Sequence, residues 1–140
     1  MKHSAEYYIE HLEMEPHVEG GYFKECLLEK QERNLWSSIY FMLAKGEVSH
    51  FHRLKSDEVW YYHDGNALTI YMIDEAGKLT AAKLGLDLEK GEVPQVLVPK
   101  GMIFGSAMEE EGFSLVGCMV SPCFCLLYTS DAADDRISVD

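Results

Sequence analysis

The chain has 140 residues, which suits one domain with a real core. A hydrophobic share of 47% with 26% charged residues reads as soluble and globular, and a formal charge of −12 argues against a nucleic-acid partner, which needs a basic face. No run of 18 apolar residues offers a membrane span, and the N-terminal "MKHSAEYYIEHLEMEP" carries charges where a signal peptide would be apolar. A cytoplasmic protein is therefore expected.

Ser4 to Glu13 reads as a short helix, with Ser4 as N-cap and Tyr8, Ile9 and Leu12 on one face; Pro16 ends it. A Gly20–Gly21 turn then opens a strand in "EGGYFKECLL". "LWSSIYFML" (35–43) is apolar enough for a buried strand. "GEVSHFHRL" and "DEVWYYHDG" are two more strands, and "DGN" at 64–66 is a hairpin signal. "ALTIYMIDEAGKLTAAKLG" reads as two strands around the turn "DEAGK", followed by a polar loop, "DLEKGEVP". "QVLVPKGMIFGSAM" is a strand, a corner at Pro99–Gly101 and a further strand; "GFSLVGCMV" is the last. About nine short strands with frequent turns and one helix predict an all-β barrel or sandwich.

The domain is expected to span 1–124. The tail, 125–140, breaks the strand pattern, and its "CLLYTSDAADD" resembles a translated sequencing adapter. Residues after about Phe124 are then expected to be non-native, with the natural last strand missing; the rival reading is a genuine acidic tail. Cys26, Cys118, Cys123 and Cys125 form no CxxC pair, and the CxC of the last two is a weak metal signal. Thiols in a reducing compartment are the simpler reading.

The chemistry concentrates in "SHFHRLKSDEVWYYHDG" (49–65). Strand alternation would aim His50 and His52 at one face, and Glu58, Trp60 and Tyr62 at one face of the next strand. A hairpin joining the two would set Glu58 beside the histidines. Two imidazoles and a carboxylate suit a divalent transition metal (Zn²⁺, Mn²⁺, Fe²⁺ or Ni²⁺). A metal-free polar pocket and purely structural histidines are the alternatives. Glu19 and Tyr22, beside the Gly-Gly turn, are candidates for the barrel mouth. Arg53, Lys55 and Lys100 are cations that could hold a phosphate, carboxylate or nucleotide sugar, or could be solvated surface. Trp60, Tyr62, Phe41 and Tyr40 supply aromatic wall.

Gly46, His50, His52, Glu58 and Gly65 resemble the first motif of the cupins, and "VPKGMIF" (98–104), with Pro99 and Gly101, resembles their second. "PHVEGGYFKE", "SSIYFML", "HRLKSDEVWYYHDG", "PQVLVPKG" and "LVGCMVSPCF" are similar to one small-cupin subgroup, cupin family five. The resemblance implies a double-stranded β-helix (jelly-roll) barrel, with a short N-terminal helix here, and a homodimer. Two departures bear on metal: five residues separate His52 from Glu58, and Phe104 stands where the second motif has a third histidine.

The resulting expectation is a cupin that binds a small molecule around His50, His52 and Glu58, with Trp60, Tyr22 and Glu19 as further contacts. The enzymatic alternatives are a sugar epimerase or isomerase, with His52 as base and Tyr62 as acid, and a metal-dependent enzyme with His50, His52 and Glu58 as ligands.

Overall fold

The computed structural model describes residues 2–28 and 35–122. In chain order these form α1 (Ala5–His11), β1 (Glu15–Pro16), β2 (Tyr22–Leu28), β3 (Ser37–Ala44), β4 (Val48–Arg53), β5 (Asp57–Gly65), β6 (Leu68–Ile73), β7 (Leu79–Leu84), β8 (Glu92–Val93), β9 (Gln95–Val98), β10 (Ile103–Ala107) and β11 (Phe113–Ser121). The strands make a six-stranded sheet, β1-β2-β3-β11-β5-β9, and a five-stranded sheet, β4-β10-β6-β7-β8, which do not close into one cylinder. Every pairing is antiparallel except β7 with β8. The 125–140 tail, Cys123 and Cys125 lie outside the described residues.

From β3 onward the chain keeps crossing between sheets. β4 leaves the six-stranded sheet, β5 returns, β6 to β8 leave again, and β9, β10 and β11 alternate. Two expected hairpins are therefore corners. β5 has both edges taken by β11 and β9, and β6 by β10 and β7, so neither has an open edge for the other. At 64–66 the chain turns out of one sheet instead, with Gly65 at φ 92° and the Asn66 N–H donating to the Phe113 carbonyl at 2.7 Å. The same holds between β4 and β5. The "DEAGK" turn is a true hairpin: Gly77 N–H donates to the Asp74 carbonyl at 2.9 Å, and β6 pairs with β7 throughout. The expected polar loop at 87–94 holds a 3₁₀ turn (Leu88–Lys90) and β8, tied by the Asp87 N–H to the Glu92 carboxylate at 3.0 Å.

The main core lies between the sheets. Phe41, Leu43, Trp60, Val116 and Cys118 face it from one side; Leu68, Ile70, Leu84 and Phe104 face it from the other. Each large side chain that loses its water contributes about 1.5–3 kcal/mol before chain entropy is charged against it. A second cluster, Met14, Met42, Phe113 and Leu115, forms where Tyr8 and Ile9 of α1 and its C-cap Leu12 pack on the outer face of the six-stranded sheet. Ser4 caps α1 as expected, accepting from the Tyr7 N–H at 3.1 Å. The helix stops at His11, because Glu13 adopts φ 55°, outside the helical region.

Asp64 clamps this helix to β5. Its carboxylate accepts the Tyr8 hydroxyl at 2.6 Å and the Lys2 N–H at 2.8 Å. Burial pushes the carboxyl up, but the Tyr8 hydroxyl and the N–H groups of Lys2, Gly65 and His3 prevail and hold it well below the usual carboxylate range.

Candidate functional site

A small cavity of about 40 Å³ opens between the sheets. Its polar lining is His17, Glu19, Ser49, His52 and Glu58, with Cys118 as a thiol; Ile39, Phe41, Trp60 and Phe104 make the wall. A space of this size takes a few water-sized groups.

A β-bulge decides which residues of β4 reach it. Phe104 opposes His52 and Ser106 opposes Ser49, so two steps along β10 match three along β4. The extra residue breaks the alternation, and Ser49 and His52 both line the cavity, whereas His50 is exposed outside it. The bulge presses on Gly105, where a Cβ would stand 2.9 Å from the Ser49 carbonyl oxygen and 3.3 Å from the Phe51 nitrogen. Ser49 and Ser106 join their hydroxyls at 2.7 Å beside it.

The turn before β2 supplies the rest of the rim. His17 N–H donates to the Gly21 carbonyl at 2.9 Å, and the His50 N–H, in the bulge, donates to the Glu19 carbonyl at 2.9 Å. The loop so pinned crosses β4 closely: a Cβ on Gly20, at φ 114°, would lie 1.9 Å from the Val48 oxygen. Only glycine fits there. His17 and Glu19 are thereby delivered to the cavity from a segment remote in sequence.

The two cavity histidines have complementary hydrogen bonding. Nδ1 of His52 lies 2.8 Å from the His50 carbonyl, which can only accept, so the proton sits on Nδ1 and Nε2 is the basic nitrogen of the neutral ring. Nδ1 of His17 accepts the Glu19 N–H at 2.9 Å, so in that neutral ring Nε2 carries the proton. Glu58, 8% exposed, is the buried acid of the site, and its Oε1 accepts the Trp60 indole N–H at 2.9 Å. Burial raises its carboxyl to about 7 against the lowering effect of that hydrogen bond. The buried Cys118 thiol is pushed well up by desolvation and by Glu58, and stays a thiol.

The family model described as "Cupin superfamily (DUF985)" matches residues 6–128. The chain belongs to this cupin family. A crystal structure of a Shewanella oneidensis protein is 55% identical, with a TM-score of 0.86 over 99% of this chain and 85% of that one. A hypothetical protein from Leishmania major is 36% identical, with a TM-score of 0.78 over 87% of this chain and 83% of that one. An oxalate decarboxylase from Bacillus subtilis shares the fold at 18% identity, with a TM-score of 0.61 over 89% of this chain and 29% of that one. No curated protein matches the chain.

Of the residues singled out from sequence, the cupin structure brings His52, Glu58, Trp60 and Glu19 together around the cavity. His50 is displaced by the bulge. Tyr22 pairs with Met42 and packs with the cluster under α1, on the opposite face of the sheet. Tyr62 donates its hydroxyl to the Gly65 carbonyl at 2.5 Å and lines a separate polar depression with Asn66, Asp87 and Glu92. His52 and Tyr62 thus do not form one acid–base pair. His17, Ser49 and Cys118 were not expected at the site. His17 stands just before the Gly20–Gly21 pair, inside the "PHVEGGYFKE" segment that resembles the small-cupin subgroup.

The residues present do not fit a metal centre of the usual cupin kind. Among the described residues no group of three or more His, Cys, Asp or Glu side chains could hold a metal ion. The Nδ1 lone pair of His17 and Oε1 of Glu58 are engaged by protein donors, and Phe104 fills the space beside His52, ring centroids 4.3 Å apart. Among the described residues no helix is long and apolar enough to cross a membrane.

Proposed function

We propose that this cupin binds a small polar molecule between its sheets, with His52, Glu58, His17 and Glu19 as polar contacts and Phe41, Trp60 and Phe104 as the wall. The crossing of successive strands between sheets supports a double-stranded β-helix (jelly-roll) barrel around that ligand. The observation that carries the reading is Glu58. A core carboxyl whose burial raises it to about 7 costs stability, and an apolar residue would pack the same space more cheaply. The cavity of about 40 Å³ admits one compact polar head, not a whole nucleotide sugar, so the remainder of a larger ligand would extend outward.

The test is a thermal-shift screen of small hydroxy acids, sugars and keto compounds, followed by calorimetry on any hit. A hit is expected to bind wild type and to weaken strongly in His52→Ala and Glu58→Gln. Unchanged affinity in both variants would remove the ligand from this cavity.

A second reading is favoured by the opposed proton states of His52 and Glu58. His52 Nε2 can take a proton, and Glu58, at about 7, can give one near neutral pH. A proton-moving isomerase would then use His52 as base and Glu58, instead of Tyr62, as acid. Deuterium from solvent should enter the carbon-bound position of a bound substrate in wild type and not in His52→Ala. We further propose that the protein is a homodimer, as the family resemblance implies; light scattering would give twice the mass of one chain.

A further inference from the structure

The polar groups of the cavity differ in how far the protein itself uses them. The Trp60 indole N–H donates to Oε1 of Glu58 at 2.9 Å. The Ser49 hydroxyl is tied to Ser106, to its hydroxyl at 2.7 Å and to its N–H at 3.1 Å. The proton on Nδ1 of His52 goes to the His50 carbonyl at 2.8 Å. Oε2 of Glu58 is the exception. Among the described residues nothing hydrogen-bonds to it, although Glu58 is only 8% exposed. It is not sealed in the core either: among the described residues the sealed side-chain oxygen without a partner is Oγ of Ser114. Oε2 therefore opens on the cavity that Glu58 lines.

The charge of the lining limits what can meet that oxygen. Among the described residues neither Lys nor Arg lines the cavity, whereas Glu19 and Glu58 both do. Only the two imidazoles could turn positive. On His17 a proton at Nδ1 would displace the Glu19 N–H that bonds there at 2.9 Å. That leaves His52, one positive charge at most, against the Glu19 carboxylate alone or with Glu58. The lining thus gains no net positive charge, and an anionic head would lose its water without finding a counter-charge. A hydroxyl meets no such obstacle. It donates to Oε2 when Glu58 is ionised, and accepts from Oε2 when Glu58 holds its proton, because Oε1 is occupied by Trp60.

We infer that the buried end of the ligand is an uncharged hydroxyl-bearing group, as in a polyol or hydroxyketone, not a carboxylate or phosphate, and that its hydroxyl bonds Oε2 of Glu58; this rests on the ligand binding proposed above. The cavity of about 40 Å³ holds the buried end to a few water-sized groups, so any charge on a larger ligand lies outside it.

Two matched pairs test this: glycerol against glycerate, and hydroxyacetone against pyruvate. Each pair exchanges one CH₂OH for a carboxylate. Trp36→Phe leaves Trp60 as the one indole of the chain, and its nitrogen-bound proton, which bonds Glu58, reports on the cavity by NMR. Titrations are run at fixed pH and at constant ionic strength set with chloride. The uncharged compounds should move this signal saturably, at concentrations at least about tenfold below their acids. Glu58→Gln can keep the Trp60 bond through its amide oxygen but presents an NH₂ in place of Oε2. It should cut the preference about three- to tenfold. An acid that binds as well as its matched alcohol overturns the inference and leaves the binding reading standing. An undiminished preference in Glu58→Gln overturns the role of Oε2. If none of the four compounds moves the signal the inference falls, and the binding reading falls with it only if the wider ligand screen is also negative.

Discussion

Phe104 lies directly across the β4–β10 ladder from His52, and their rings meet at a 50° tilt with centroids 4.3 Å apart. The position that would hold another imidazole instead packs an aromatic ring, 1% exposed, against the histidine. Phe104→His should therefore add a ligand beside His52 and Glu58. The expected outcome is a rise in melting temperature on adding Ni²⁺ or Mn²⁺ to the variant, with no such rise in wild type. An equal response in the two proteins would show that Phe104 does not control metal binding. The variant itself should lose about 1–3 kcal/mol from placing a polar ring in the core.

Glu58 predicts a pH dependence of opposite sign to that of ordinary carboxylates. It holds its proton to about 7 when folded and to about 4.5 when unfolded. Between those values the folded chain binds more protons, so stability falls as pH rises through the window and levels off above it. Glu58→Gln keeps an acceptor for Trp60 and carries no charge. The difference in unfolding free energy, variant minus wild type, should grow between about pH 5 and pH 7 by no more than about 1.4 kcal/mol per unit. A flat difference would show that Glu58 ionises as easily folded as unfolded.

Asp64 acts in the other direction. Its folded carboxyl lies well below the unfolded value of 3.8. The stability it supplies is fully present above that value and lost as pH falls below it. Tyr8→Phe removes the 2.6 Å hydroxyl donor and should cost about 1.5–3 kcal/mol near neutral pH. Urea unfolding of the variant and of wild type across a pH series checks this: the loss should persist to about pH 4 and shrink only in stronger acid, as Asp64 begins to take up its proton in the folded wild type.

The Gly-Gly turn should be intolerant of side chains. Gly20→Ala places a Cβ 1.9 Å from the Val48 oxygen in a left-handed backbone, so β4 or the turn must move. A loss well above the about 1 kcal/mol of left-handed strain alone is expected, with weakened binding at the cavity. Gly46→Ala is the control: its φ is also positive, at 84°, but nothing lies within 4 Å of a Cβ there. Equal melting temperatures for the two variants would mean that close approach to β4 is not what the turn requires.

Much of this protein follows from local pattern. The Ser4 cap and apolar spacing placed α1, alternation and turn residues placed most strands, the motifs around 46–65 and 98–104 pointed to the cupin family and to His52, Glu58 and Trp60, and the Gly20–Gly21 turn pointed to Glu19. Those features depend on neighbours within a few positions, or on a set of residue types that survives without coordinates. What the sequence could not supply depends on which strand edges were already occupied. The turns at 54–56 and 64–66 became corners because β5 was paired on both sides. One extra residue in β4 reversed the alternation, sending His50 to solvent and Ser49 inward. The contact of His50 N–H with the Glu19 carbonyl brought His17 to the cavity across more than thirty positions of chain. Register and edge occupancy are properties of pairs of strands, and they are settled only when the whole chain is folded.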